Sequence, residues 1–179
     1  EGLKNFYPDD KQRHNHIIAN MIYMTEINST FIPLLKQLFG EKSNVFNVDF
    51  LKIPENPQKW VRKYDMIIGN PPYNTSKMNI IQDGVNVEVE GKGCWGWFVK
   101  KAMHHLKGRG HLLFITPSIW MKYDNSMFKE ILRYNIKYIK TFNNTESNKM
   151  FHGNGQTPTC YFLLQNLRRG GYILSLIHI

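Results

Sequence analysis

The residues best suited to chemistry lie in one short stretch, YDMIIGNPPY at positions 64–73. An apolar run that predicts a buried strand ends there at a glycine, and Asn70, Pro71, a second proline and Tyr73 follow. Because each proline holds φ at about −65° and lacks an N–H, the pair presets the Asn70 side-chain oxygen and the Pro71 carbonyl as neighbouring acceptors. The stretch is therefore a rigid polar turn with an aromatic side chain at its end. A plain turn is the alternative for any Asn-Pro pair, but the whole tetrapeptide after an apolar strand favours a functional centre.

The elements before this stretch predict how it is held. Their patterns give a strand at 21–28, a helix at 31–39, a strand at 45–49 and a strand at 65–69. Each strand ends near a polar residue, namely Glu26, Asp49 and Asn70. Such repeats are typical of an α/β fold with a parallel sheet, where ligands bind at the carboxyl ends of the strands. We therefore expect the three residues to line one edge of a sheet.

The chain beyond Tyr73 predicts a hairpin and then further α/β elements. Residues 74–94 are polar, with valines alternating around an Asp83-Gly84 turn, which predicts a hairpin that is either a lid or an ordinary surface insertion. The remaining predicted elements are a strongly amphipathic helix at 95–106 ended by Lys107-Gly108, strands at 111–117, 136–142 and 159–164, a helix after Asn125, and a polar loop at 143–155 that carries Phe151.

Composition limits the class of protein. Among 179 residues, 23 Lys and Arg stand against 14 Asp and Glu, and the net charge of +9 favours a polyanionic partner such as nucleic acid. Cys94 and Cys160 lack a paired spacing, which predicts free thiols and a cytoplasmic setting. No apolar run approaches the ~20 residues of a membrane span. The histidine pairs are not expected to be metal ligands: His14 and His16 are expected at the surface, and His104 and His105 at the surface or facing the helix dipole. We predict no metal site.

Both ends of the chain suggest a piece of a longer protein. The sequence starts at Glu1, within what reads as a helix, and its last six residues, 174–179, resemble a translated sequencing-library adapter. We therefore expect residues 1–173 to form part of a catalytic domain and residues 174–179 to be an adapter-derived tail.

Several motifs together resemble those of one enzyme family. They are Asp65–Tyr73, Glu26, Asp49-Phe50, Trp95–Phe98 with the following lysines, Gly110–Pro117, and Met150-Phe151 leading into Thr159–Leu164. Over roughly residues 19–165 the chain resembles the amino-group DNA methyltransferases that use S-adenosylmethionine. The nearest subgroup is the N6-adenine enzymes of restriction–modification systems that carry Asn-Pro-Pro-Tyr.

The resemblance implies a fold and a cofactor. The expected fold is the Rossmann-like class I methyltransferase fold, a mostly parallel sheet with helices on both faces. Glu26 would accept hydrogen bonds from the ribose hydroxyls of S-adenosylmethionine, as the acid of dinucleotide sites does. Asp49 would accept from the adenine amine of the cofactor, and Phe50 and Phe98 would flank its ring.

The resemblance also implies how the target is held. A base inside duplex DNA must be flipped out, at a cost of a few kcal/mol. Asn70 and Pro71 would bind its amine, Tyr73 would stack on one face of the base and Phe151 would cover the other. Stacking of ~1–3 kcal/mol per base is comparable with the flipping cost.

One departure from the family is large. The Gly-rich cofactor loop and the first strand have no counterpart before residue 21, and we expect them upstream of Glu1. A downstream target-recognition domain and a fused or separate restriction endonuclease are further expected partners, in a protein of bacterial, phage or viral origin. The chain alone is expected to be poorly active.

Two alternatives remain open. Enzymes that methylate another planar amine, a protein glutamine or an RNA guanine, also carry Asn-Pro-Pro-Tyr. The basic charge, the insertion at 74–94 and the aromatic at Phe151 favour nucleic acid over protein. A non-catalytic nucleic-acid-binding domain would keep the fold and the charge, but it would not need Asn70 together with Glu26 and Asp49.

Overall fold

The computed structural model describes residues 2–53, 63–82, 84–155 and 157–168. The adapter-like residues 174–179 lie outside them. The chain forms two compact units, Glu1–Ile53 and Pro54–Ile179. Within the described ranges, no helix combines the length and the apolar character needed to cross a membrane.

The first unit contains two helices and a pair of parallel strands. Its elements are α1 (Asp10–Asn20), β1 (Tyr23–Glu26), α2 (Ile32–Phe39) and β2 (Asn44–Asn47). β1 and β2 pair in parallel, with Glu26 opposite Asn47. Local signals explain the ends of α2, because a proline occupies its first turn and Gly40 ends it at φ +89°. The predicted strand 21–28 and helix 31–39 are confirmed with small shifts in their ends.

The second unit contains the remaining strands and helices. They are β3 (Tyr64–Gly69), β4 (Met78–Gln82), β5 (Val85–Val89), α3 (Trp95–His105), β6 (Leu106–Pro117), α4 (Ser126–Leu132), β7 (Tyr134–Phe142), α5 (Asn144–Met150) and β8 (Thr159–Arg168). β4 and β5 form the predicted antiparallel hairpin. Gly84 in its turn has φ +79°, a conformation that favours glycine, and Asp83 lies outside the described residues.

The main sheet of this unit is mixed rather than mostly parallel. Its strand order is β3-β6-β8-β7. β3 and β6 are parallel, whereas β8 runs antiparallel to both of its neighbours. The segment between β7 and β8 carries the seven-residue helix α5, and the chain reverses direction across it. The α/β class itself is confirmed.

The core lies on one face of this sheet. On β8, Cys160, Phe162 and Leu164 are fully buried, and their partners on β6 are also buried. α3 adds Val99 and Ala102, with exposures of 1% and 0%. Burying a large aliphatic or aromatic side chain contributes about 1.5–3 kcal/mol, so this face supplies much of the stability of the unit.

Three local predictions need correction. β3 is not a buried strand, because it lies at one edge of the sheet and Ile68 is 68% exposed. α3 ends at His105 and the strand β6 starts at once, so Lys107-Gly108 does not end the helix. His105 is not at the surface, since its exposure is 2%.

Candidate functional site

The turn after β3 carries the predicted target-binding residues. β3 leads into it beside β6, and Gly69 lies opposite Phe114. A Cβ at Gly69 would lie 2.9 Å from the Phe114 ring, so a larger residue would push the strand end away. In the turn itself, Asn70 is exposed and Pro71 is buried. The Asn70 amide is therefore presented to solvent on a backbone that is packed directly behind it.

Tyr73 and Phe151 meet at this turn. Their centroids are 6.3 Å apart and the rings are nearly perpendicular, at 89°. Such edge-to-face contact is one of the two favoured aromatic geometries. In this arrangement the rings contact each other, so placing a flat base between them requires one ring to turn.

The hydroxyl of Tyr73 is buried and has no hydrogen-bond partner among the described residues. Burial raises the pKa of Tyr73 to about 12, and the neighbouring Cys160 thiol adds to the shift. The phenol is therefore neutral near pH 7, and Tyr73 is suited to stacking rather than to proton transfer.

Phe151 is positioned by a helix, not by the predicted loop at 143–155. Asn143 and Glu146 form a reciprocal capping box at the start of α5, and Phe151 follows its last residue. The sequence signal for this helix was present, since Asn followed three residues later by Glu is a capping-box pattern. A buried hydrogen bond of 2.9 Å between the Ser147 and Thr159 hydroxyls ties α5 to the start of β8.

Cys94 and Asn74 hold the turn in ways that sequence reasoning missed. The Cys94 thiol donates to the Pro72 carbonyl at 2.9 Å. The Asn74 side-chain oxygen accepts from the Gly93 N–H at 2.8 Å. A lone cysteine before a helix and an asparagine in a polar stretch carry no pattern that predicts either contact.

In the first unit, Glu26 and Asp49 lie at the carboxyl ends of the adjacent parallel strands β1 and β2. Glu26 ends β1, and its Oε1 accepts from the backbone N–H of Asn28 at 2.7 Å. Asp49 does not belong to β2, which ends at Asn47. It caps the following 3₁₀ turn instead, accepting from the Leu51 N–H at 3.0 Å. A residue that caps a turn must lie outside the strand, which explains the shifted boundary.

The other two predicted cofactor residues are half-buried phenylalanines. Phe50 begins the 3₁₀ turn in the first unit, and Phe98 lies in the first turn of α3 in the second. The structure brings Glu26, Asp49 and Phe50 into one short region, and Asn70, Tyr73 and Phe151 into another. The common sheet edge for Glu26, Asp49 and Asn70 involves both units and stays a prediction.

The fold is that of class I methyltransferases. The chain is similar to a modification subunit of a putative type I restriction enzyme from Vibrio vulnificus YJ016, with a TM-score of 0.62 and 12% identity over 90% of this chain and 36% of that chain. It is also similar to a type I restriction–modification methyltransferase subunit from Streptococcus thermophilus, with a TM-score of 0.57 and 17% identity over 82% of this chain and 34% of that chain. A third similar structure is a putative class I S-adenosylmethionine-dependent methyltransferase from Listeria monocytogenes, with a TM-score of 0.51 and 12% identity over 87% of this chain and 46% of that chain. The chain thus spans less than half the length of each of these structures.

Residues 4–151 match the Eco57I restriction-modification methylase family, and the chain belongs to that family. The resemblance to restriction–modification methyltransferases is thereby confirmed. No protein of curated function matches the chain.

Proposed function

We propose that this protein transfers a methyl group from S-adenosylmethionine to the N6 amine of adenine in DNA, within a restriction–modification system. Membership of the Eco57I restriction-modification methylase family supports the class of reaction. The observation that carries the choice of an amine target is the turn after β3, where Asn70 is exposed and Pro71 is packed. The excess of basic residues supports DNA as the substrate.

The role of Asn70 and Pro71 follows from the chemistry of the target. The lone pair of an exocyclic amine is delocalised into the ring, so the amine is a poor nucleophile. The Asn70 oxygen and the Pro71 carbonyl accept its two N–H bonds and draw them out of the ring plane, which localises the lone pair on nitrogen. Because the prolines fix these acceptors in advance, little reorganisation is needed at the transition state. The amine proton becomes acidic only after methylation, so no carboxylate base is required.

Tyr73 and Phe151 hold the flipped base in this proposal. Tyr73 stacks on one face, and Phe151 covers the other after the edge-to-face contact between the two rings opens. Each stacked aromatic contributes ~1–3 kcal/mol, which offsets the cost of flipping. The neutral phenol of Tyr73 brings no negative charge next to the DNA backbone.

S-adenosylmethionine supplies an electrophilic methyl group when it is bound. Within the first unit, the adjacent carboxylates of Glu26 and Asp49 fit the hydroxyls and the amine of a nucleoside, because both are acceptors at the ends of neighbouring strands. In this proposal Glu26 would accept from the ribose hydroxyls and Asp49 from the adenine amine, with Phe50 of the same unit against the ring. A target-recognition domain, a fused or separate restriction endonuclease and a cytoplasmic setting complete the proposal.

The test is methyl transfer by the full-length protein with Asn70→Ala. Transfer of labelled methyl to DNA should fall by about a hundredfold or more, as for the loss of a preorganised transition-state partner, while calorimetry shows cofactor binding unchanged. Asn15→Ala, an exposed asparagine on α1, is the matched control and should retain full transfer. Unchanged transfer in Asn70→Ala would rule out its role.

The choice of base and polymer is tested separately. Hydrolysis of the methylated product should release N6-methyladenine from DNA. Label found in RNA guanine or in protein glutamine would favour the alternative amines. Tyr73→Ala should weaken productive engagement of DNA and leave the affinity for cofactor unchanged; an equal loss of cofactor binding would place Tyr73 elsewhere.

A further inference from the structure

The turn Asn70–Tyr73 is connected to the start of α3 by a set of hydrogen bonds that no part of the reaction uses. The set joins residues 72–75 to residues 91–94, which lie on opposite sides of the hairpin β4–β5. We call these two segments with their hydrogen bonds the α3 clamp.

Cys94 contributes its side chain to the Pro72 carbonyl. It is completely buried, and it occupies the residue before α3, a position whose side chain usually caps the helix. Its thiol makes no such cap bond and donates instead to the Pro72 carbonyl at 2.9 Å. A thiol is a weak donor, so this bond matters more for the direction of the carbonyl than for the stability of the fold.

Asn74 and Gly91 close the other side of the clamp. The Asn74 oxygen accepts from Gly93 at 2.8 Å, and Thr75 N–H donates to the Gly91 carbonyl at 3.0 Å. A Cβ at Gly91 would lie 1.8 Å from the Ser76 carbonyl oxygen. The two segments therefore lie too close together for any residue other than glycine at position 91.

The clamp acts on the freedom that the prolines leave. Proline fixes φ but not ψ, and ψ of Pro72 sets both the direction of its carbonyl and the path of the chain into Tyr73. Holding that carbonyl from Cys94 therefore fixes how Tyr73 leaves the turn, and Asn74 fixes the next residue. The other end of the turn is already fixed by the pairing of Gly69 with Phe114.

We propose that Cys94 and Asn74 are positioning residues, which hold the Asn70–Tyr73 turn in the geometry that methyl transfer requires by tying it to α3. The inference rests on the proposed function. Neither residue touches the substrate in this account, so their loss should lower kcat and leave cofactor binding intact.

The test compares Cys94→Ala and Asn74→Ala with the unmodified full-length protein. We expect kcat for DNA methylation to fall about three- to tenfold in each, the size of one lost hydrogen bond that aligns reacting groups. The Kd for S-adenosylmethionine should change by less than about twofold, since a misplaced turn leaves uniform binding unaffected. Cys94→Ser keeps a donor at the same position and should recover most of the lost kcat.

Glu88→Gln is the matched control. It breaks the exposed Lys77–Glu88 ion pair on the same hairpin, outside the clamp, and should leave kcat unchanged because exposed pairs contribute little. Full kcat in Cys94→Ala and Asn74→Ala would overturn the proposal. So would a proportional loss of cofactor binding, or a loss in Cys94→Ser as large as in Cys94→Ala, because either indicates a merely structural role.

A second measurement separates this inference from the proposed function. If the unmodified full-length protein transfers no methyl group to DNA, the proposed function fails, but the clamp is still tested by amide hydrogen exchange at residues 73–75. Exchange there should be faster in Asn74→Ala and Cys94→Ala than in the unmodified protein and in Glu88→Gln. Equal exchange in all four proteins would overturn the clamp itself.

Discussion

The two regions that carry the predicted site residues are built in different ways. In the first unit, each carboxylate is held by a backbone N–H two residues further along, Asn28 for Glu26 and Leu51 for Asp49. In the second unit, Tyr73 meets Phe151 from the far end of the chain. The carboxylates depend on short stretches of sequence, whereas the aromatic pair depends on the packing of a whole sheet.

This difference predicts which region of the protein a given substitution will disturb. A change in the core of the second unit should move Tyr73 and Phe151 without loosening the carboxylates of the first, because those are satisfied locally. Changes confined to Glu26 or Asp49 should in turn affect the cofactor and leave the second unit folded.

The largest effect should come from protonation of His105, which is buried in the second unit. Burial lowers the pKa of His105 to about 4, and the positive charges of Lys101, His104 and Lys63 add to the shift. The unfolded chain takes up this proton at its ordinary pKa of about 6.5. The protonation of His105 therefore does not affect the free energy of unfolding above about pH 6.5. Between about pH 6.5 and about pH 4 it lowers this free energy by about 3 kcal/mol in total, and below that pH the loss levels off.

Urea unfolding of the wild type and His105→Gln at about pH 7 and about pH 4.5 measures this loss. The decrease in unfolding free energy should be smaller in His105→Gln by most of that amount. His104→Gln removes the exposed neighbour and should retain most of the wild-type pH dependence, because burial is the larger cause of the shift. The same pH dependence in His105→Gln as in the wild type would show that His105 is not the group responsible.

A change at the first region should act on cofactor affinity alone. Glu26→Ala removes a carboxylate acceptor, and hydrogen bonds to a charged group contribute about 1.5–3 kcal/mol. We expect S-adenosylmethionine to bind about tenfold to a hundredfold more weakly by calorimetry, with the Tyr73–Phe151 contact unchanged. Wild-type affinity in Glu26→Ala would show that Glu26 does not bind the cofactor. The proposed difference in function between the two regions would then be wrong.

Much of the first region could be predicted from the sequence because its signals are local. Asn28 is a residue type that favours caps and it accepts from Thr30 N–H, and Gly40 is a typical helix stop and ends α2. Asp49 was expected at a strand end and instead caps a turn two residues later. Alternation and capping reach only a few residues, which is also the range over which they were reliable here.

The second region could be predicted in its elements but less well in its contacts. The apolar run of β3 indicated a strand but not its place at the edge of the sheet. At that edge Ile68 is exposed although its side chain is apolar. Tyr73 and Phe151 were expected to flank a base, and their direct edge-to-face contact depends on the path of α5. Cys94 reaches Pro72 only because the hairpin returns the chain to that point.

An intermediate effect should follow from cutting the bond that holds α5. Ser147 and Thr159 are completely buried and share a hydroxyl hydrogen bond of 2.9 Å. Ser147→Ala leaves the Thr159 hydroxyl buried without this partner, which should cost about 1–2 kcal/mol of unfolding free energy in urea. Ser118→Ala, whose hydroxyl donates to Pro158 at an exposed position, should cost less than about 0.5 kcal/mol. Equal losses in the two variants would mean that this bond does not position the helix before Phe151.

The smallest effect should have the opposite sign. Tyr73→Phe removes a buried hydroxyl that lacks a partner among the described residues and keeps the ring against Phe151. The unfolding free energy should rise by up to about 1 kcal/mol, because no hydrogen bond is lost and a polar atom is no longer desolvated. Tyr134→Phe is the matched control, since Tyr134 is also buried but its hydroxyl bonds to Arg168, and it should lose stability. A loss in Tyr73→Phe would mean that its hydroxyl is hydrogen-bonded in solution, and the aromatic pair would then be held by a polar anchor as local as those of Glu26 and Asp49.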